Sequence, residues 1–149
     1  MKKMIFLGSI SLLSAFSSYA EHCPEIKDIR EVHNVFLADA EQGEWISVMQ
    51  MGEHERLVSF DSARFRHSKK MMCTYKTEED NYVDLKLDLY GTSLEIDIND
   101  HRDVWDEKQS ILTKSYQCGE DGSISNPEDC EFELVDVDDT SISGGGEMF

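Results

Sequence analysis

The amino-acid sequence predicts a mainly β fold, a single antiparallel β-sandwich or barrel-like domain with one or two short helices and two disulfide bonds. Apolar and charged residues alternate with period two between residues 82 and 99, which is typical of strands that bury one face. Turn residues separate several other short apolar segments, and the number of cysteines is even. The alternative is an α+β fold, in which a helix near residues 25–40 packs on the sheet.

Residues 1–20 have the three parts of a secretory signal peptide. Two lysines follow the first methionine, an apolar run extends to Phe16, and Ser18 and Ala20 place small residues before the predicted cleavage site. The apolar run is shorter than the about 20 residues that a membrane-spanning helix needs. We therefore expect cleavage after Ala20, a periplasmic or secreted protein, and no membrane insertion after cleavage.

The rest of the chain divides into a domain and a tail. The length that remains after the predicted cleavage is that of one domain, and we expect a disulfide-stabilised β domain over residues 21–135. Residues 136–149 combine acids, Ser, Thr and three consecutive glycines. Because glycine loses much backbone freedom on ordering, and acids add no apolar surface to bury, we expect a flexible acidic and glycine-rich tail.

The predicted mature chain is strongly acidic. The full sequence has 14 Lys and Arg against 31 Asp and Glu, a formal charge of −17, and the predicted signal peptide carries two lysines and no acid. Nucleic acid is therefore excluded as a partner, because phosphate contacts need clustered Lys and Arg. A charge of this sign suits solubility, or a cationic protein, peptide or metal ion as the partner.

All four cysteines lie in the predicted mature chain, and an even count in an exported protein indicates disulfide bonds. Four cysteines allow three pairings. We favour Cys118–Cys130, because the residues between them are polar and rich in turn formers, and this leaves Cys23–Cys73. The spacing contains no Cys-x-x-Cys pair of the kind found in structural zinc sites and redox motifs.

Residues 82–99 predict a β-hairpin. The alternation breaks at a turn that contains Gly91 and then resumes. With a two-residue loop at this turn, apolar residues pair on one face, and on the other face Asp88 lies opposite Glu95. Like charges directly opposite each other destabilise a strand pair. Asp88 and Glu95 are therefore candidate binding residues for a cation or a basic side chain of a partner.

Other segments are assigned from shorter runs. Residues 24–40 fit either a helix or a strand, and the pattern slightly favours a strand from Asn34 onward. A short helix is predicted over 100–109. Further strands are predicted at residues 45–49, 71–75, 110–117 and 130–134.

No sequence motif identifies a catalytic residue, a metal site or a cofactor. His54-Glu55 lacks the second histidine of a zinc-protease motif. The acids from Asp97 onward lack the Gly and Glu positions of a calcium-binding loop. Trp45 and Trp105 each lie next to acids, and they are candidate binding residues as well as candidates for the core.

The composition favours a binding or interaction protein over an enzyme. In the leading version of this hypothesis, the protein binds a cationic protein, peptide or metal ion through an acidic surface. One alternative is a small exported hydrolase that uses His and carboxylates, which requires a pocket that gathers such groups with shifted pKa values. Another is a structural component of the cell envelope.

A spaced set of short motifs covers roughly residues 23–134. It resembles a family of small exported proteins of Gram-negative bacteria whose function is unknown. The resemblance implies a compact β-rich disulfide domain and carries over no catalytic residue. The motifs are Cys23-Pro24, Gly43-Glu44-Trp45, Phe60 with Ala63 and Phe65, Cys73-Thr74-Tyr75, Cys118, and Cys130 before Phe132.

Overall fold

The computed structural model describes residues 18–48, 55–119 and 121–138. In these ranges eleven strands form two antiparallel sheets, and short 3-10 helices lie at Ile26–Asp28, Asn99–His101 and Pro127–Asp129. The strands are β1 (Ser18–Glu21), β2 (Arg30–Val32), β3 (Val35–Ala40), β4 (Gly43–Ser47), β5 (Leu57–Phe65), β6 (Lys70–Thr77), β7 (Tyr82–Asp88), β8 (Leu94–Asp97), β9 (Asp106–Gln109), β10 (Lys114–Cys118) and β11 (Phe132–Asp136).

The larger sheet has eight strands in the order β2-β3-β4-β7-β6-β5-β10-β9, and the smaller sheet has three in the order β1-β11-β8. Both sheets contribute to one apolar core. Trp45 of β4 meets Phe132 of β11 edge to face across this core, with 6.4 Å between the ring centroids. The indole Nε1 of Trp105 donates a hydrogen bond to the carbonyl of Glu131, just before β11. Such interdigitation of two inner faces is the packing of a β-sandwich.

The predicted mainly β fold is confirmed. The described part of the large sheet stays open, with β2 and β9 at its edges, so the architecture is sandwich-like rather than a closed barrel. The ambiguous segment 24–40 contains one short 3-10 helix and then two strands, and the preferred interpretation of a strand after Asn34 is confirmed by β3. Its buried side chains, Phe36 and Ala38, alternate with more exposed ones.

The predicted hairpin over residues 82–99 is wrong. Both edges of β7 are occupied, because Leu87 pairs with Trp45 on one side and with Met71 on the other. The chain therefore leaves the large sheet after β7, and β8 pairs with β11 in the small sheet. The alternation on both strands correctly marks their buried faces, but these faces meet across the core instead of lying side by side in one sheet.

The change of sheet is held by hydrogen bonds from the segment before β6. The carbonyl of Lys69 accepts from Leu89 N at 2.8 Å, and the carbonyl of Ser68 accepts from Ile96 N at 2.7 Å. The Nζ of Lys69 also donates to the carbonyls of Thr92 and Leu94. These contacts satisfy backbone groups that a hairpin would have paired internally.

Two shorter predictions need correction near residues 100–117. The segment predicted as a helix over 100–109 holds only the end of a 3-10 helix, and β9 follows it. The segment predicted as one strand over 110–117 begins with a turn, in which Leu112 is 91% exposed, and only β10 is extended. The turn is closed by hydrogen bonds between Ser110 and Thr113. The strands predicted near 45–49, 71–75 and 130–134 correspond to β4, β6 and β11, and residue 49 of the first lies outside the described residues.

Both predicted disulfides are present, as Cys23–Cys73 and Cys118–Cys130. Cys23–Cys73 fastens the segment after β1 to the middle of the large sheet. The buried Tyr75, two residues further along β6, donates its hydroxyl hydrogen bond to the carbonyl of Pro24. Burial raises the pKa of the Tyr75 phenol far above its ordinary value, so the hydroxyl remains a donor. Cys118–Cys130 joins the end of β10 to the segment that enters β11.

The predicted domain limits fall close to the ends of the small sheet. β1 spans the predicted cleavage site, since Ser18–Ala20 pair with β11 along with Glu21. At the other end β11 reaches Asp136, and Val137 N donates to the carbonyl of Ser93. Residues 1–17, which hold most of the predicted signal peptide, and residues 139–149 of the predicted tail lie outside the described residues.

No helix in the described ranges has the length and apolar character needed to cross a membrane.

Removing the disulfides is expected to destabilise the fold according to loop length. Cys118→Ala with Cys130→Ala opens a loop with a sequence separation of 12, and should lower the free energy of unfolding by about 3 kcal/mol. Cys23→Ala with Cys73→Ala opens a separation of 50, and should lower it by about 4 kcal/mol. Urea denaturation measures both. Equal stability of the oxidised and reduced wild-type protein would contradict a structural role for the bridges.

Candidate functional site

The two tryptophans predicted as candidate binding residues are both buried. Trp105 is 4% exposed, packs edge to face on Phe65, and uses its only hydrogen-bond donor inside the protein. Trp45 is fully buried on β4, and its Nε1 has no hydrogen-bond partner among the described residues. A buried donor without a partner costs free energy. Trp45, unlike Trp105, therefore carries a cost that its packing has to offset.

Asp88 and Glu95 do not face each other, because β7 and β8 belong to different sheets. Asp88 lies opposite Lys70 in the large sheet, with 3.7 Å between its carboxylate and the lysine Nζ. Glu95 lies 3.7 Å from the Nζ of Lys69. Each carboxylate therefore has its own lysine, and the predicted like-charge pair is wrong.

An acidic cavity of about 500 Å³ opens where the segment after β1 passes the turn between β3 and β4. We call it the acidic cavity. Cys23–Cys73 holds the first segment in place, and the β3–β4 pairing positions the turn. Trp45 contributes to the wall of the cavity. The other lining residues are Glu21, His22, Pro24, Glu25, Asp28, Asp39, Ala40 and Glu41.

Three of the five acids of the cavity have partners within the protein. Glu21 accepts a hydrogen bond from Glu41 N at 2.8 Å. Glu25 lies 2.8 Å from the Nζ of Lys27, and Asp39 lies 3.2 Å from the guanidinium of Arg30. The carboxylates of Asp28 and Glu41 make no ion pair with any residue that the structure describes. The cavity thus keeps negative charge that nearby basic residues do not neutralise.

Burial raises the pKa of Glu21, even though the hydrogen bond from the Glu41 backbone acts in the opposite direction. At the rim, Glu25 shares a hydrogen bond with Glu128 of the last 3-10 helix. The ammonium of Lys27 lowers the pKa of Glu25, whereas the hydrogen bond and the charge of Glu25 raise the pKa of Glu128. The two carboxyl groups therefore titrate as a pair.

Sequence reasoning singled out Trp45 but missed the acids around it. Residues 21–44 contain seven acids against one lysine and one arginine, and this local excess was a usable signal. It did not identify a site, because the acids come from two segments that only the disulfide and the β3–β4 hairpin bring together.

The described residues contain no group of three or more His, Cys, Asp or Glu that is placed to hold a metal ion. The carboxylates of the acidic cavity are suited to ion pairs with an organic cation, because such pairs do not require several oxygens to converge on one point.

Comparison with known proteins gives a family for the chain. A family model described as "Protein of unknown function (DUF3757)" matches residues 17–133. The chain belongs to the DUF3757 family. The match begins next to β1 and ends within β11, so it spans both sheets. The resemblance to a family of unknown function is thereby confirmed, whereas its Gram-negative and exported character stays a prediction. No curated protein and no solved structure matches the chain.

The carboxyl pair at the rim can be tested directly. Glu25→Ala removes the hydrogen-bond partner and the neighbouring charge together, so the pKa of Glu128 should fall toward its ordinary value. A carboxyl-detected NMR titration measures this. Asp121→Ala is the matched control, because the pKa of Asp121 is lowered by Ser123 and involves neither Glu25 nor Glu128. An unchanged pKa of Glu128 in Glu25→Ala would contradict the pair.

Proposed function

We propose that this DUF3757 protein is an exported interaction domain that binds a cationic segment of a protein or peptide in the acidic cavity. One observation carries the proposal. Five acidic side chains line a cavity of about 500 Å³, and two of them, Asp28 and Glu41, make no ion pair with any described residue. The volume is in the range of known ligand pockets and suits one or two side chains rather than a long segment.

The charge of the cavity fits the cationic group of a basic peptide. A guanidinium or ammonium group pairs with the carboxylates of Asp28 and Glu41, which have no ion-pair partner among the described residues. The described residues contain no group of three or more His, Cys, Asp or Glu that converges on a metal ion, so an organic cation is the better match.

The charge of the whole chain supports the same partner. A formal charge of −17 attracts cations from a distance and raises their rate of encounter. Lys27 and Arg30 pair with only two of the acids of the cavity, Glu25 and Asp39. Binding of this kind weakens as salt screens the charges.

Binding is a better fit than hydrolysis. The cavity does gather His22 with carboxylates whose pKa values are shifted. However, Glu128 is exposed to solvent, and Glu25 is only partly buried. Acid–base catalysis by a pair of carboxyl groups gains its strength from exclusion of water, and Glu128 has no such shelter.

The cation-binding proposal predicts a change at one indole signal. A short arginine peptide should shift the Trp45 indole N–H resonance and leave that of Trp105 unchanged, whereas the same peptide with neutral citrulline should shift neither. Asp28→Asn with Glu41→Gln should weaken arginine-peptide binding about fivefold, since each exposed ion pair contributes about 0.5 kcal/mol. NMR titration at low salt measures both effects.

The matched control removes the same charge elsewhere. Asp103 and Glu79 are exposed acids outside the cavity, so Asp103→Asn with Glu79→Gln should retain wild-type affinity. If both double variants weakened binding of the arginine peptide equally, the effect would come from the net charge of the protein and not from the acidic cavity. Absence of any saturable shift at low ionic strength would exclude the acidic cavity as the binding site.

Export is the second part of the proposal, and the two disulfides support it because such bonds persist in oxidising compartments. Mass spectrometry of the protein produced with its own leader should find a chain that begins at Glu21 and contains no free thiol. Cleavage there also removes Ser18–Ala20 from β1, so amide exchange in β11 should quicken relative to the uncleaved chain. A retained leader, or four free thiols, would contradict export.

A further inference from the structure

A second cavity has the opposite charge. It measures about 440 Å³ and lies on the outer face of the large sheet, around the turn between β5 and β6. We call it the basic cavity. Arg64, Arg66, His67 and Lys70 line it, and none of the described residues in its lining is acidic. Acids outnumber Lys and Arg by more than two to one in the chain. The composition alone therefore does not predict a cavity that is lined by basic residues.

Strand register builds the cavity. Arg64 of β5 lies opposite Met72 of β6 on one side and opposite Gln117 of β10 on the other. Met72 in turn lies opposite Lys86 of β7. Their neighbours along the strands, Ala63, Cys73, Leu85 and Cys118, are buried in the core. Because side chains alternate across a sheet, the row from Gln117 to Lys86 projects from the outer face.

Positive charge at this face exceeds negative charge. Arg64 lies 3.3 Å from the carboxylate of Asp84, and Lys70 lies 3.7 Å from that of Asp88. Arg66 and Lys86 make no ion pair within the described ranges. Of the Arg and Lys side chains that line the cavity, Arg64 and Lys70 are therefore paired with carboxylates, whereas Arg66 keeps its full charge. Two exposed guanidinium groups provide paired N–H donors, the geometry that matches an oxyanion.

The cavity also has an apolar side. Tyr90 is 59% exposed, and the Nζ of Lys70 lies 5.4 Å from the centre of its ring. Met72 is half-buried beside Arg64. An exposed tyrosine ring and a flexible thioether form a surface on which a second ring can pack.

We propose that the basic cavity binds an oxyanion attached to a ring-sized apolar group, such as an aryl phosphate, sulfate or carboxylate. The guanidinium groups of Arg64 and Arg66 hold the charged oxygens, Lys70 adds charge, and the ring packs against Tyr90 and Met72. This site shares no lining residue with the acidic cavity, so it does not depend on the binding of a cationic peptide there.

The test is an NMR titration of the full chain with phenyl phosphate. Amide signals of Arg64, Arg66 and Tyr90 should shift and saturate in the millimolar range. Inorganic phosphate should bind more weakly, because it lacks the ring. Arg66→Ala should lower the affinity for phenyl phosphate about tenfold, since hydrogen bonds between charged groups are among the strongest in proteins. Phenyl sulfate and benzoate, titrated in parallel, identify the preferred oxyanion.

Arg56→Ala is the matched control. Arg56 is an exposed arginine near the start of β5, paired with Glu78 and outside the basic cavity, so its variant should bind phenyl phosphate as the wild type does. Arg64→Gln gives a second variant within the cavity if Arg66→Ala fails to fold. The proposal is overturned if no aryl oxyanion gives a saturable shift, if inorganic phosphate binds as tightly as phenyl phosphate, or if Arg56→Ala weakens binding as much as Arg66→Ala.

Discussion

The occupation of both edges of β7 is the constraint from which the architecture follows. Leu85 and Leu87 are buried at the centre of the large sheet, with β4 on one side and β6 on the other. A strand that has two partners cannot take a third, so the chain crosses to the other side of the core at Leu89. This crossing starts the small sheet and leaves Tyr90 exposed at the edge of the basic cavity. Hydrogen bonds from Ile96 and Leu89 to the carbonyls of Ser68 and Lys69, before β6, stabilise this crossing.

Charge is distributed unevenly over the resulting surface. The acids that line one cavity come from the segment after β1 and from the β3–β4 turn, whereas the basic residues that line the other project from the middle strands of the large sheet. The acidic cavity depends on Cys23–Cys73, because this disulfide holds the segment after β1 against β6. The basic cavity depends on the register that places Arg64 beside Met72 and on the turn between β5 and β6 that carries Arg66 and His67. An acidic protein can thus offer surfaces to ligands of both signs.

The comparison between sequence and structure is clearest at residues 82–99. Alternation identified the buried side chains of β7 and β8 correctly, yet the hairpin inferred from it is wrong. The same pattern arises when two strands lie side by side in one sheet and when they face each other from two sheets. Only the edges available for hydrogen bonding distinguish the two cases, and those edges belong to β4, β6 and β11. Asp88 and Glu95 were placed opposite each other by this error alone.

By itself the sequence determined the class of fold, the inward face of most strands, the pairing of the cysteines and the sign of the net charge. These properties are local or compositional: alternation reports which side chains are buried, and closure of a short polar loop favours Cys118–Cys130. The tertiary structure decided which sheet each strand joins and where charges collect, as at Arg64 and Lys70 or at Glu25 and Glu128. Those outcomes depend on contacts between residues far apart in the chain, and their free energies are set by the packing of the whole core rather than by any one segment.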